Sequence, residues 1–284
     1  MLFRSRPQCP VVVLGSKNFT EQEVLGEIVA GLLESRGFTV ERRLNLGGTT
    51  LCHEALRTGQ VDLYVEYTGT ALTEVLKLPS RSDPAEVLRE VRRAYARLGI
   101  TVAEPLGFNN SFALVMGRAF AEGRGIARIS DLARHAGTIR VGLSGEFLER
   151  QDGMRGLTAA YGFAFTLPPR EMDLSLIYRA LAEGRVDLAV GSATDGLIAA
   201  LGLVVLEDDR GYFPPYDAVP IARSSSLAAH PGLVSALHAL AGRIDATTMR
   251  RMNYAVDGEH REPREVAREF LRELGRTTGA SPPL

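Results

Sequence analysis

The line Ala55-Leu56-x-x-Gly59-x-Val61-Asp62-Leu63-x-Val65 returns as Ala180-Leu181-x-x-Gly184-x-Val186-Asp187-Leu188-x-Val190, matching at seven of eleven positions. One helix-Gly-strand unit is built twice: Ala-Leu closes a helix, Gly stops it, and the Val, Leu, Val alternation is a buried strand. Because Ala, Leu, Gly and Val are common residues, a chance match is the competing reading. A true repeat puts two equivalent strands in two α/β lobes. The residues after them, Glu66-Tyr67-Thr68-Gly69-Thr70 and Gly191-Ser192-Ala193-Thr194-Asp195, then sit at equivalent rims of a cleft, where α/β sheets bind small molecules.

The 284 residues suffice for two domains with separate cores. With 33 basic against 34 acidic side chains the chain carries no electrostatic footprint for nucleic acid or an anionic membrane. The longest apolar stretch, Val186 to Leu206, is interrupted by Asp187, Asp195 and several glycines, so it does not read as a membrane span. Residues 1–10 are basic but lack the apolar centre of a secretory signal, so no signal or anchor is visible. Cys9 and Cys52 are read as two free thiols, a disulfide between them being the alternative.

The chain opens with a strand at Val11–Leu14, a polar loop Gly15–Phe19, and a helix running to Gly37 that Thr20 and Glu23 are expected to start as a capping box. Its N-terminus presents N–H groups suited to an anion. Next come a strand over Phe38–Leu44, a helix over Thr49–Thr58, the first repeat strand Val61–Val65, and helices over Gly69–Lys77 and Pro84–Leu98. Pro105–Asn110 breaks the pattern and reads as a first crossing between lobes, before a strand at Phe112–Met116. The second lobe holds a helix near Ser130–Arg134, a strand at Ile139–Leu143, one helix spanning Gly145–Tyr161, and the second repeat unit. A helix near Thr194–Leu201 and a strand Leu203–Leu206 complete it. Asp208–Pro215 is the return crossing, followed by a strand Ala218–Ile221 and helices near Pro231–Ala241, Ala246–Asn253 and Pro263–Leu274. The expected organisation is a discontinuous lobe 1 (10–107 plus 212–276), an inserted lobe 2 (108–211), and flexible termini (1–9 and 277–284), hinged around a ligand.

Catalytic and cofactor patterns fail. Gly142-Leu143-Ser144-Gly145 lacks nucleophile-elbow spacing, no phosphate loop occurs, and the five histidines are dispersed without a zinc pattern. The reading is therefore not an enzyme, with no cofactor and no metal.

Six segments carry a resemblance: Gly15-Ser16-Lys17-Asn18-Phe19-Thr20-Glu21-Gln22, Glu66-Tyr67-Thr68-Gly69-Thr70, Gly107-Phe108-Asn109-Asn110, Asp152-Gly153, Ala193-Thr194-Asp195-Gly196 and Phe213-Pro214-Pro215-Tyr216. In this order, across about Val11 to Leu274, they resemble the substrate-binding proteins of osmoprotectant ABC importers of the ProX or OpuC type. The resemblance implies a type II periplasmic-binding-protein fold, two α/β lobes joined by two crossing strands with a ligand cleft between them. It also implies a periplasmic or otherwise extracytoplasmic monomer that carries a glycine betaine-like or choline-like ligand to an ABC permease.

In that family aromatic rings cage a quaternary ammonium, which offers no hydrogen-bond donor and is held by ring faces, while cationic and hydroxyl groups take a carboxylate. Carried over, the resemblance assigns the cage to Tyr67, Phe112 and Tyr216, the carboxylate to Lys17, Thr70 and Arg150, and a polar contact to Asn110. Without that context, Tyr67 and Phe112 read as core, and Lys17 and Arg150 as solvated surface charges, Arg150 within a charged helix Glu146–Arg155. One departure stands out: where the family usually has a cage tyrosine after the second repeat strand, this chain has Ser192. The missing ring leaves space for a bulkier or ring-bearing betaine, or for Tyr64, Tyr212 or Phe213 to fill. A polar amino acid or other metabolite in the same fold, or an enzyme on a similar scaffold, are the alternative functions.

Overall fold

The computed structural model describes residues 11–278. Among the described residues ten strands form two five-stranded sheets: β1 (Val12–Gly15), β2 (Val40–Arg43), β3 (Leu63–Tyr67), β4 (Ile100–Val102), β5 (Phe112–Gly117), β6 (Val141–Leu143), β7 (Arg170–Glu171), β8 (Leu188–Ser192), β9 (Leu203–Val205) and β10 (Ala218–Arg223). Their orders, β2-β1-β3-β10-β4 and β7-β6-β8-β5-β9, are the same arrangement twice. In each, a repeat strand is central, with a parallel neighbour on one side (β1 or β6) and an antiparallel crossing strand on the other (β10 or β5). Helices cover both faces of the sheets, the doubly-wound solution for strands apolar on both sides.

The repeated residues do the same work in both copies. Gly59 and Gly184 end their helices in the left-handed conformation, φ 79° and 68°. The Ala55 and Ala180 carbonyls each accept two N–H groups of the turn that follows. Asp62 Oδ2 accepts the Val13 N–H at 2.7 Å while the Asp62 N–H donates to the Val13 carbonyl. Asp187 holds Arg140 through the same pair of bonds, at 2.9 and 2.8 Å. Each repeat aspartate therefore staples its strand to the parallel neighbour, fixing the register that delivers residues 67 and 192 to the cleft.

The two crossings pair with each other. Asn109 and Asp217 form an antiparallel bridge, and the Asn110 N–H donates to the Tyr216 carbonyl at 3.0 Å. This places Asn110 and Tyr216 at the waist of the molecule. The C-terminal helices Ala246–Asp257 and Pro263–Thr278 return to pack on the helix Thr20–Ser35 of the first sheet.

Several local expectations are corrected. Thr20 forms no capping box: Phe19 is the N-cap residue, and the Thr20 hydroxyl donates instead to Asp257 Oδ1 at 2.6 Å, a charged acceptor on a neighbouring helix. The single helix over Gly145–Tyr161 is two, Gly145–Glu149 and Met154–Tyr161. The break is at Gly153, where a Cβ would overlap the Phe147 carbonyl oxygen, and it leaves Arg150 extended at φ −65°, ψ 146°. Arg150 is thus not on a solvated helix face. The last helix continues to Thr278, since no proline interrupts it before Pro282; the expectations for residues 1–9 and 279–284, and for Cys9, lie outside the described residues. Cys52 is buried, and burial pushes its thiol up to about 12.

Candidate functional site

Between the sheets, one cavity is lined by Lys17, Tyr67, Thr70, Asn110, Phe112, Arg150, Ser192 and Tyr216, the eight residues singled out above. The strand ends bring four of them there. Tyr67 closes β3, Ser192 closes β8, Phe112 opens β5 in register with Ser192, and Tyr216 stands two residues before β10. The loop after β1 delivers Lys17, the turn after β3 delivers Thr70, and the extended link between the two short helices delivers Arg150.

Aromatic surface dominates one side. Phe112 meets Phe147 at 4.8 Å and Tyr216 at 5.5 Å, both edge to face, and Phe19 stacks beside Tyr67 at 6.4 Å. Phe19 and Phe147 line the cavity and were missing from the sequence assignment. Phe19 was legible as the ring following Lys17-Asn18 in the first loop; Phe147 reads as an ordinary core residue until the helix break is known. None of Tyr64, Tyr212 and Phe213, the alternatives for filling the space at Ser192, lines this cavity. Tyr64 is buried on the opposite side of the first sheet, and Tyr212 and Phe213 pack against one another behind Phe112.

The polar side is built from buried ion pairs. Lys17 Nζ donates to Glu66 Oε1 at 2.5 Å and to Thr49 Oγ1 at 3.0 Å, and lies 5.2 Å from the centre of the Tyr67 ring. Arg150 grips Asp152 bidentately, Nε to Oδ1 at 2.7 Å and Nη2 to Oδ2 at 2.6 Å, while Nη1 faces Thr70 Oγ1 and Glu146 Oε1 at 3.4 Å each. Tyr216 and Thr73 hydroxyls also donate to Asp152. Burial works to raise the Asp152 carboxyl, but Arg150 with these hydroxyls outweighs it and holds the group below the usual range. The guanidinium also sits 5.1 Å from the centre of the Phe112 ring.

A third carboxylate organises the waist. Glu21 accepts Tyr67 OH and Asn110 Nδ2 on Oε1, both at 2.7 Å, and Thr194 Oγ1 and Asn253 Nδ2 on Oε2, at 2.5 and 3.0 Å. Its donors come from both sheets' rims, so it ties the Tyr67 ring to the opposite lobe. Burial raises its carboxyl above the ordinary value, the four donors offsetting part of this. Asn110 Oδ1 is buried beside the cavity as an acceptor with no partner among the described residues.

A larger cavity of about 370 Å³ adjoins this one through Glu146 and Arg150. Its walls carry Glu74, Glu146, Glu149 and Glu171 and no aromatic ring, so the smaller cavity has the chemistry for a methylated cation.

The family described as the substrate binding domain of ABC-type glycine betaine transport systems, OpuAC, matches residues 10–273. The glycine-betaine-binding protein of Pseudomonas aeruginosa is 36% identical over 94% of this chain and 88% of its own length. The Helicobacter pylori ergothioneine transport permease/ergothioneine binding protein EgtU is 35% identical over 93% of this chain, which spans 48% of that larger protein. A solved glycine betaine/carnitine/choline ABC transporter structure superposes with a TM-score of 0.77, at 33% identity, over 92% of this chain and 98% of that one. The two five-stranded lobes are those of the type II periplasmic-binding-protein fold, and the chain belongs to the OpuAC family of ABC-transporter substrate-binding domains.

Proposed function

We propose that this chain is an extracytoplasmic binding protein that captures a small quaternary-ammonium zwitterion of the glycine betaine kind and delivers it to an ABC permease. The observation that carries this reading is one cavity combining the rings of Tyr67, Phe112 and Tyr216 with the Thr70 hydroxyl and the Nη1 edge of Arg150. In the proposal the rings hold the ammonium, each contributing on the order of 1 kcal/mol. Thr70, Arg150 Nη1 and Lys17 receive the carboxylate, and the spare acceptor of Asn110 lies against the polarised methyl groups. A carboxylate-bearing betaine then binds more tightly than choline.

Lobe 1 (10–107 plus 212–276) and lobe 2 (108–211) close on the ligand as a monomer, hinged at the paired crossings. The ligand leaves unchanged, with no cofactor or metal taking part. Among the described residues no helix is long and apolar enough to cross a membrane.

Ser192 supports a second reading, a bulkier ring-bearing betaine, and the Helicobacter pylori relative is named for binding ergothioneine. Calorimetry with glycine betaine, proline betaine, choline, carnitine and ergothioneine tests both. Heat with a betaine supports the proposal, tightest binding of a ring-bearing one favours the second reading, and neither heat nor thermal shift with any of them overturns the ligand class. Recovery of the bound ligand chemically altered after long incubation would overturn the non-enzymatic reading.

A further inference from the structure

The polar wall of the cleft is an unbroken chain of contacts from one lobe to the other. Glu66 holds Lys17, Lys17 reaches Thr49, and the Thr49 hydroxyl donates across the cleft to Glu146 Oε1 at 2.8 Å. That same oxygen stands 3.4 Å from Arg150 Nη1, and Arg150 holds Asp152. Three carboxylates therefore face two cations, and the third is surplus. Glu66 and Asp152 are not free to leave: their side chains are 0% and 4% exposed, and each balances a buried cation. Glu146 differs in both respects, being 42% exposed and held by one short hydrogen bond and one long contact. When it swings out to solvent, Lys17 keeps Glu66 and Arg150 keeps Asp152, so no buried charge is stranded.

We infer that Glu146 is a specificity-determining residue: its carboxylate occupies the position between Thr49 and Arg150 Nη1 that a ligand carboxylate would take. The inference rests on the ligand class proposed above. A zwitterion must displace Glu146 to reach Arg150 Nη1, whereas a cation without a carboxylate leaves it in place and gains a nearby negative charge. Glu146 thus compresses the preference for betaines over choline, and bridges the lobes when the ligand brings no carboxylate of its own.

The test is calorimetric titration of glycine betaine and of choline into the unmodified protein, E146Q and E149Q. Glu149 lines the adjoining acidic cavity and makes neither contact, so it reports on the general field alone. In E146Q the ratio of the choline Kd to the glycine betaine Kd should widen about tenfold, the scale of one charge-assisted hydrogen bond. In E149Q the ratio should stay unchanged. A ratio in E146Q within twofold of the unmodified protein's, or an equal change in E149Q, overturns the inference while leaving the ligand class intact. Binding of neither ligand to the unmodified protein overturns the ligand class and the inference with it.

Discussion

The two copies of the repeated unit share their framework and differ at the rim. In lobe 1 the strand ends Glu66-Tyr67: a buried carboxylate neutralised by Lys17, then a ring whose hydroxyl is anchored on Glu21. In lobe 2 the same positions are Gly191-Ser192, and the hydroxyl of Tyr178 lies where a side chain on residue 191 would go. The nearby carboxylate is Asp195, which accepts from Tyr178 OH and the Ser192 N–H and pairs with no cation among the described residues. Burial pushes Asp195 up to about 7, with Glu21 and Asp257 adding repulsion and the two donors offsetting only part of it. The two copies therefore share what fixes register, the aspartate staple and the helix-stopping glycine. They differ at the cleft-facing ends, Glu66-Tyr67 in one and Gly191-Ser192 in the other.

The largest effect expected from breaking this comparison comes from removing the lobe 1 ring. Tyr67→Leu should weaken glycine betaine binding roughly 30-fold, about 2 kcal/mol for a desolvated cation–π contact. Ser192→Ala in the equivalent position should change it by less than about twofold, since no side-chain bond of Ser192 is lost. Equal losses in the two variants, read by calorimetry, would mean the lobes contribute alike. Next in size is restoration: Ser192→Tyr should tighten glycine betaine roughly fivefold, about 1 kcal/mol for an added ring wall, while weakening ring-bearing betaines. Tightening of both classes would show that the space at Ser192 does not set ligand size.

The smallest effect concerns pH. A carboxyl raised from its unfolded value near 4 to about 7 binds an extra proton in the folded state between those limits, so it makes stability fall as pH rises through that window. Asp195→Asn removes this contribution, making the decline shallower by up to about 1.4 kcal/mol per pH unit. Urea unfolding of both proteins between about pH 5 and pH 7 measures it, and parallel curves would show that Asp195 is ionised throughout.

Much of this architecture is legible in the sequence because apolar periodicity and helix-stopping glycines are local signals. The helix Thr49–Thr58 and the central strands β3, β5, β8 and β10 follow from them within a few residues. The three-residue edge β4 and two-residue β7 are too short to carry a period, and Arg118–Arg124 buries only Ala121, leaving no apolar face to read. At the site, the residue types that line the cavity are visible in their motifs. Their partners are not: that Glu66 balances Lys17, that Glu21 gathers four donors, and that Glu146 crosses to Thr49 depend on long-range placement. Arg150 shows the boundary most sharply. Its neighbourhood has the charge pattern of a helix, and only the close approach of Gly153 to the Phe147 carbonyl turns it into the cleft.

A crystal structure of the protein with glycine betaine tests the central claim most directly. The account predicts the trimethylammonium group against Tyr67, Phe112 and Tyr216, with the carboxylate within hydrogen-bond reach of Thr70 and Arg150. A betaine bound with its carboxylate turned toward Ser192, or bound outside this cavity, would contradict it.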